Sequence, residues 1–132
     1  MNAEEAKKEG NIAYGRGDYA EALRLIRLAA DQDDADAQNT LGRMYSNGVV
    51  TPTDYVEAAK WFRRSAEGGD IDSQYCLGVS YDQGEGVPKN DVLAYMWLSL
   101  AARTGYGRAV DWFAKVAKRM TPTQIAEAEK LA

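Results

Sequence analysis

Apolar and small residues fall into stripes with the period of an α-helix. The clearest is Ala58, Trp61, Phe62, Ser65 and Ala66, spaced i, i+3, i+4, i+7, i+8. The same spacing returns in Ala94, Trp97, Leu98, Ala101 and Ala102, and in Ala22, Leu25, Ile26, Ala29 and Ala30. Ahead of two of these stripes stand Leu41, Gly42, Tyr45 and Leu77, Gly78, Tyr81, also at helical spacing. Each unit therefore reads as two helices. Their small residues allow close approach, and their Trp and Tyr side chains fill the space between hairpins. Polar residues mark the ends. Asp18, Asp54 and Asn90 precede the second helices as N-caps, and Glu21 and Glu57 follow three residues later as acidic analogues of a capping box. Gly69 and Gly105 close those helices where a left-handed residue is wanted. Thr121-Pro122-Thr123-Gln124 opens a last helix. The pattern predicts an all-α chain with helices near 3–15, 18–31, 35–47, 54–67, 71–83, 90–103, 107–119 and 122–131.

The stripes belong to an internal repeat. Residues 37–72 align with 73–108 without a gap, and eleven pairs are identical: Gln38/Gln74, Leu41/Leu77, Gly42/Gly78, Tyr45/Tyr81, Gly48/Gly84, Pro52/Pro88, Val56/Val92, Ala58/Ala94, Trp61/Trp97, Ala66/Ala102 and Gly69/Gly105. Unrelated segments of this length share roughly two. A partial copy precedes them, with a first inter-helix loop four residues shorter. The stretch from Ala109 is a divergent last copy, with Phe113-Ala114 where the others have Leu-Gly, as in a terminal cap. The expected organisation is one repeat domain over 1–132, with units 1–34, 35–70, 71–106 and 107–132.

Composition narrows the chemistry. The 132 residues hold 16 Lys+Arg, 20 Asp+Glu, one Cys and no His, for a net charge of −4. That balance argues against nucleic acid, whose phosphates need a basic surface. A lone Cys excludes an internal disulfide framework and a multi-Cys zinc site, and the lack of His removes the commonest general base. Acidic residues concentrate in 1–72, which hold 9 basic and 14 acidic residues, against 7 and 6 in 73–132. No apolar run approaches the ~20 residues of a membrane span. The polar start Met1-Asn2-Ala3-Glu4-Glu5 does not read as a signal peptide. The chain as written is expected in the cytoplasm, or in the periplasm or outside the cell if a leader preceded it.

Candidate chemistry is weak against structural alternatives. Gly84-Glu85-Gly86 has Lys89 where a dinucleotide loop needs its third Gly, and reads as an inter-helix turn. Asp31-Gln32-Asp33-Asp34-Ala35-Asp36 lacks the Gly and Glu of a calcium loop, and reads as a solvated turn with an N-cap. Cys76 is expected to face the hairpin interior, Trp61, Trp97 and Trp112 to be core, and Arg63-Arg64 to form a solvated helix face. No catalytic residue, metal ligand or cofactor is assigned.

The repeat resembles the Sel1-like repeat, a relative of the tetratricopeptide repeat. The residues that carry the resemblance are Ala37-Gln38, Leu41-Gly42, Tyr45, Asp54, Ala58, Trp61 and Ala66. In the next unit they are Gln74, Leu77-Gly78, Tyr81, Gly84-Glu85-Gly86-Val87-Pro88, Ala94, Trp97 and Ala101-Ala102. The first hairpin, 1–34, with its short turn Gly15-Arg16-Gly17-Asp18, resembles a tetratricopeptide unit more closely. The resemblance implies a right-handed α-solenoid of about four antiparallel helix hairpins, of bacterial type, that binds another protein or peptide as an adaptor. A monomer is the default expectation.

In such solenoids the first helices line the concave groove. Carried onto this chain, the lining would be Lys7, Asn11, Tyr14, Asn39, Arg43, Tyr75, Val79, Asp111 and Lys115. Tyr75 and Val79 would give an apolar centre, and Asn39, Arg43 and Lys115 donors for a peptide backbone or carboxylate. The carboxylate clamp of tetratricopeptide co-chaperones fits poorly. Lys7 and Asn11 match it, but Thr40, Asp72 and Cys76 do not, and Asp72 carries the wrong charge. Two other readings stand beside the adaptor: a hydrolase using paired carboxylates on cell-wall or peptide-like material, and a regulatory or immunity partner of a neighbouring gene's product.

Overall fold

The computed structural model describes residues 1–132 and contains eight α-helices and no strand. They are α1 (Ala3–Gly15), α2 (Tyr19–Ala30), α3 (Ala35–Asn47), α4 (Tyr55–Glu67), α5 (Ile71–Gln83), α6 (Asp91–Ala102), α7 (Gly107–Lys118) and α8 (Pro122–Leu131). Every bound lies within one residue of the periodicity's prediction. The chain forms two compact units, Met1–Asp70 and Ile71–Ala132.

In the first unit α1 packs on α2 and α3 on α4, with α2 against α3 joining the pairs. Ile26 and Leu41 are fully buried among Ala6, Ala22, Ala29 and Ala37. Burial of a Leu or Ile side chain contributes about 1.5–3 kcal/mol, and the alanines let the helix axes approach. The closest approaches occur at glycines. A Cβ on Gly10 would meet Ile26 Cδ1 at 2.9 Å, and one on Gly42 would meet Phe62 Cε1 at 2.7 Å. These are the same contact, displaced by the four-residue difference in loop length.

The second unit repeats this plan with Gly78, where a Cβ would lie 2.6 Å from Leu98 Cγ. Leu77, Leu98 and Val116 are its fully buried large side chains. Its last helices depart from the plan. Both α7 and α8 lie against α6, and the close mutual packing of the first three pairs is missing.

The caps act as the sequence indicates. Asp18, Asp54 and Asn90 each accept from the backbone N–H three residues on, at 3.3, 3.0 and 3.0 Å. The Asp54 and Asn90 N–H groups donate to the carbonyls of Tyr45 and Tyr81 at 2.8 and 2.9 Å, one bond made twice at the repeat interval. Gly69 and Gly105 have φ of +95° and +85°. The acidic capping boxes do not form. Glu21 turns to Arg24, and Glu57 to the Trp61 indole N–H and Lys60. A reciprocal box exists at Thr121 and Gln124. A carboxylate is drawn to a nearby cation, whereas a neutral Gln has no competing ion pair.

Candidate functional site

On α1, Lys7, Asn11 and Tyr14 stand at i, i+4 and i+7, one position past the buried stripe Ala6, Gly10 and Ala13. Asn11 is exposed, and Tyr14 is 45% exposed with its ring 5.5 Å from that of Tyr19. Lys7 is different. Its Nζ lies 2.9 Å from Glu4, 3.1 Å from Asp34 and 3.6 Å from Asp36. The bond to Glu4 raises the Lys7 pKa most, burial opposes it, and Asp34 adds to the rise. Asp34 also caps α3, accepting from Ala37 N–H at 2.9 Å. Lys7 is thus a strap between α1 and the start of α3.

On α3, Asn39 is buried and Arg43 is exposed. The Arg43 Nε donates to Asn39 Oδ1 at 3.1 Å, one helical turn away. Asn39 serves as the fixed base on which Arg43 is held toward solvent. The first unit therefore presents Asn11, Tyr14 and Arg43 on its first helices, with Lys7 and Asn39 supporting them.

In the second unit Tyr75 and Val79 are half-buried on α5. Tyr75 meets Tyr106 edge-on, with centroids 5.5 Å apart and planes at 84°. The Tyr106 hydroxyl donates to Asp72 Oδ1 at 2.6 Å, which together with burial raises its pKa. On α7, Asp111 and Lys115 are exposed one turn apart, and Lys115 Nζ sits 5.1 Å from the Trp112 ring centre. Asp72, the position of wrong sign for a carboxylate clamp, is engaged as the acceptor for Tyr106.

Other features resolve in part against expectation. Cys76 is half-buried rather than interior, with Sγ 3.8 Å from Asp72 Oδ2, because its helix turns Leu77 and Gly78 inward instead. Trp61 is core, but Trp97 and Trp112 are half-buried. Gly84 and Gly86 form a turn with φ of +70° and +78°. Asp33 has φ +62° and pairs with Arg64 at 3.3 Å, and Arg64 also lies 4.7 Å from the Trp61 ring centre. Arg64 is therefore a packed, paired residue rather than a merely solvated one.

Two features escaped the sequence pattern. Arg27 lies 5.9 Å from both the Tyr45 and Trp61 ring centres, and donates to the Tyr45 hydroxyl. The repetition of Tyr45 and Trp61 at Tyr81 and Trp97 was its available signal. The second is a cavity of about 470 Å³ in the second unit, lined by Tyr95, Ser99, Ala102, Arg103, Phe113 and Glu129. Its signal was the break in the Leu-Gly pattern at Phe113-Ala114.

Comparison with known proteins places this geometry. The family model described as "Sel1 repeat" matches residues 9–34, 35–70 and 71–106. Among solved structures, a protective antigen present in uropathogenic Escherichia coli strains and displaying an SLR fold superposes with a TM-score of 0.89 at 28% identity. That match covers 98% of this chain and 28% of the antigen. A Sel1 repeat protein from Oxalobacter formigenes matches at TM-score 0.73 and 28% identity, over 92% of this chain and 60% of its own. Helicobacter pylori cysteine rich protein B matches at 0.65 and 25%, over 70% and 69%. The chain thus spans under two thirds of the first two proteins. No curated protein sequence matches it.

Proposed function

The chain belongs to the Sel1 repeat family, whose fold is generally a protein-interaction scaffold, and from that premise we propose that it is a non-catalytic adaptor gripping a peptide segment of another protein. The gripping surface of each unit is its first-helix faces, which line the concave side in arrays of this family. The observation that carries the reading is the Asn39–Arg43 pair. A buried amide holds a guanidinium in place at the surface, so little side-chain entropy is lost when Arg43 meets a partner's carboxylate or carbonyl. Asn11 and Tyr14 on α1 add a polar contact and an exposed ring, the composition of an adaptable peptide-binding face. In the second unit, Tyr75, Val79, Asp111 and Lys115 offer a mixed apolar and charged face.

A displayed peptide library selected on the purified protein tests this reading. Selected peptides should bind at least about fivefold more weakly to Arg43→Ala, whose helicity stays that of the parent. A library that yields no binder, or binders indifferent to Arg43→Ala and Tyr14→Ala alike, would overturn it.

A further inference from the structure

Three helix pairs in this chain are closed by a glycine, and the fourth is not. Gly10, Gly42 and Gly78 each touch a large side chain of the following helix, so closely that a Cβ would stand 2.6–2.9 Å from it. The residue at that register in α7 is Ala114, and it is exposed. Without that contact α8 does not close on α7. It packs on α6 instead, and Ala128 is its buried residue. The cavity of about 470 Å³ lies among these three helices, with Tyr95, Ser99 and Ala102 from α6, Arg103 just past the α6 C-terminus, Phe113 from α7 and Glu129 from α8. This size is within the range of small-molecule sites, about 300–1,000 Å³.

The lining has a definite chemistry. The Tyr95 and Phe113 rings lie 4.7 Å apart at 47° and form an apolar wall with Ala102. The Tyr95 hydroxyl donates to Glu129 Oε1 at 3.2 Å, which fixes the carboxylate and leaves it capacity for further donors. Arg103 is exposed and forms no ion pair, although its charge is felt at the Tyr95 hydroxyl. A cation and an anion thus line one cavity without meeting each other.

We propose that this cleft binds a small zwitterion of the free dipeptide kind, with its carboxylate on Arg103, its ammonium on Glu129 and an apolar side chain against Phe113 and Ala102. Charged groups at both ends of the ligand match the two unpaired charges, and the ring wall selects an apolar side chain. None of the first-helix candidates lines the cleft, so the inference stands apart from the adaptor reading.

The experiment is calorimetric titration of the full chain with Ala-Leu, N-acetyl-Ala-Leu and Ala-Leu amide. Ala-Leu should bind with Kd of about 1 mM or tighter. Each capped form should bind at least about tenfold more weakly, since each loses one charge-assisted contact. Arg103→Gln should weaken Ala-Leu by a similar factor, and Arg108→Gln, which removes a cation of the same unit outside the cleft, should leave it unchanged. No heat of binding at ~10 mM Ala-Leu, or a capped form or Arg103→Gln matching the parent pair, overturns the proposal. The capped-peptide comparison needs no variant, so a folding defect in Arg103→Gln would not shield it.

Discussion

Gly78 and Leu98 are in contact at the limit of what two helices allow: a methyl group on Gly78 would lie 2.6 Å from Leu98 Cγ and 3.2 Å from its backbone nitrogen. Leu98 is fully buried, so it has no room to retreat. Gly78→Ala gains about 1 kcal/mol of helix propensity but overpacks a core, at a cost of about 1–3 kcal/mol. The net effect should be a loss of about 1 kcal/mol, and Gly78→Leu should lose at least about 3 kcal/mol. At Gly42 the opposing atoms belong to the edge of the Phe62 ring, and the loss should be similar. Urea denaturation of the variants measures this, and unchanged midpoints would rule out the close-approach role.

The same register position on α7 behaves in the opposite sense. Ala114 is exposed. Ala114→Gly should therefore cost about 1 kcal/mol through helix propensity alone, with no packing gain. A glycine that stabilised this site would show α8 closing onto α7, visible as loss of the cleft. Thermal melts of Ala114→Gly and Gly78→Ala, run side by side, separate the two mechanisms.

Helix positions and caps were legible because they rest on short-range signals that recur at a fixed interval. Asp54 and Asn90 cap their helices with the same bond, and Gly42 and Gly78 make the same contact. The site was less legible because sharing a helix face does not decide what a side chain pairs with. Lys7 and Asn11 share a face of α1, yet Lys7 is drawn to Glu4, Asp34 and Asp36, whose approach depends on how α3 begins. Asn39 sits on the expected helix but is buried under Arg43. Tyr75 looks free in sequence, and its contact with Tyr106 comes from the next hairpin. The cleft under α8 follows from a missing contact, which no local pattern records.

Arg43 and Tyr75 should now part company on mutation. Arg43 rests on the buried Asn39, so Arg43→Ala should cost about 1 kcal/mol of stability through the lost hydrogen bond, keep the helical fold, and weaken peptide binding. Tyr75 packs edge-on against Tyr106, and its truncation removes an aromatic pair worth about 0.5–1.5 kcal/mol along with buried area. Tyr75→Ala should therefore lower the melting temperature, and Tyr75→Phe should retain both the ring contact and the stability. A stable Tyr75→Ala would mean that the Tyr75–Tyr106 contact contributes nothing to the second unit.

The Lys7–Asp34 pair, 3.1 Å apart with each side chain 18% exposed, ties stability to pH in a definite direction. Burial resists ionisation of Asp34, but the Ala37 N–H and the Lys7 ammonium outweigh it and bring its pKa below the ordinary 3.8. A group with a depressed folded pKa contributes stability above its unfolded value and loses it as pH falls through the folded one. Lys7 is raised above 10.5, so its contribution is complete below that pH and is lost only in stronger alkali. Between about pH 5 and 9 the pair is therefore fully ionised and its contribution constant. Lys7→Met should cost about 1 kcal/mol throughout that range. Below pH 3.8 the gap between parent and variant should close as Asp34 takes up its proton and the parent loses what the variant never had. Urea midpoints of both proteins at pH 7 and at about pH 2.5 check the sign, and a gap as wide in acid as at neutrality would show that Lys7 acts through packing of its methylene stem rather than through charge.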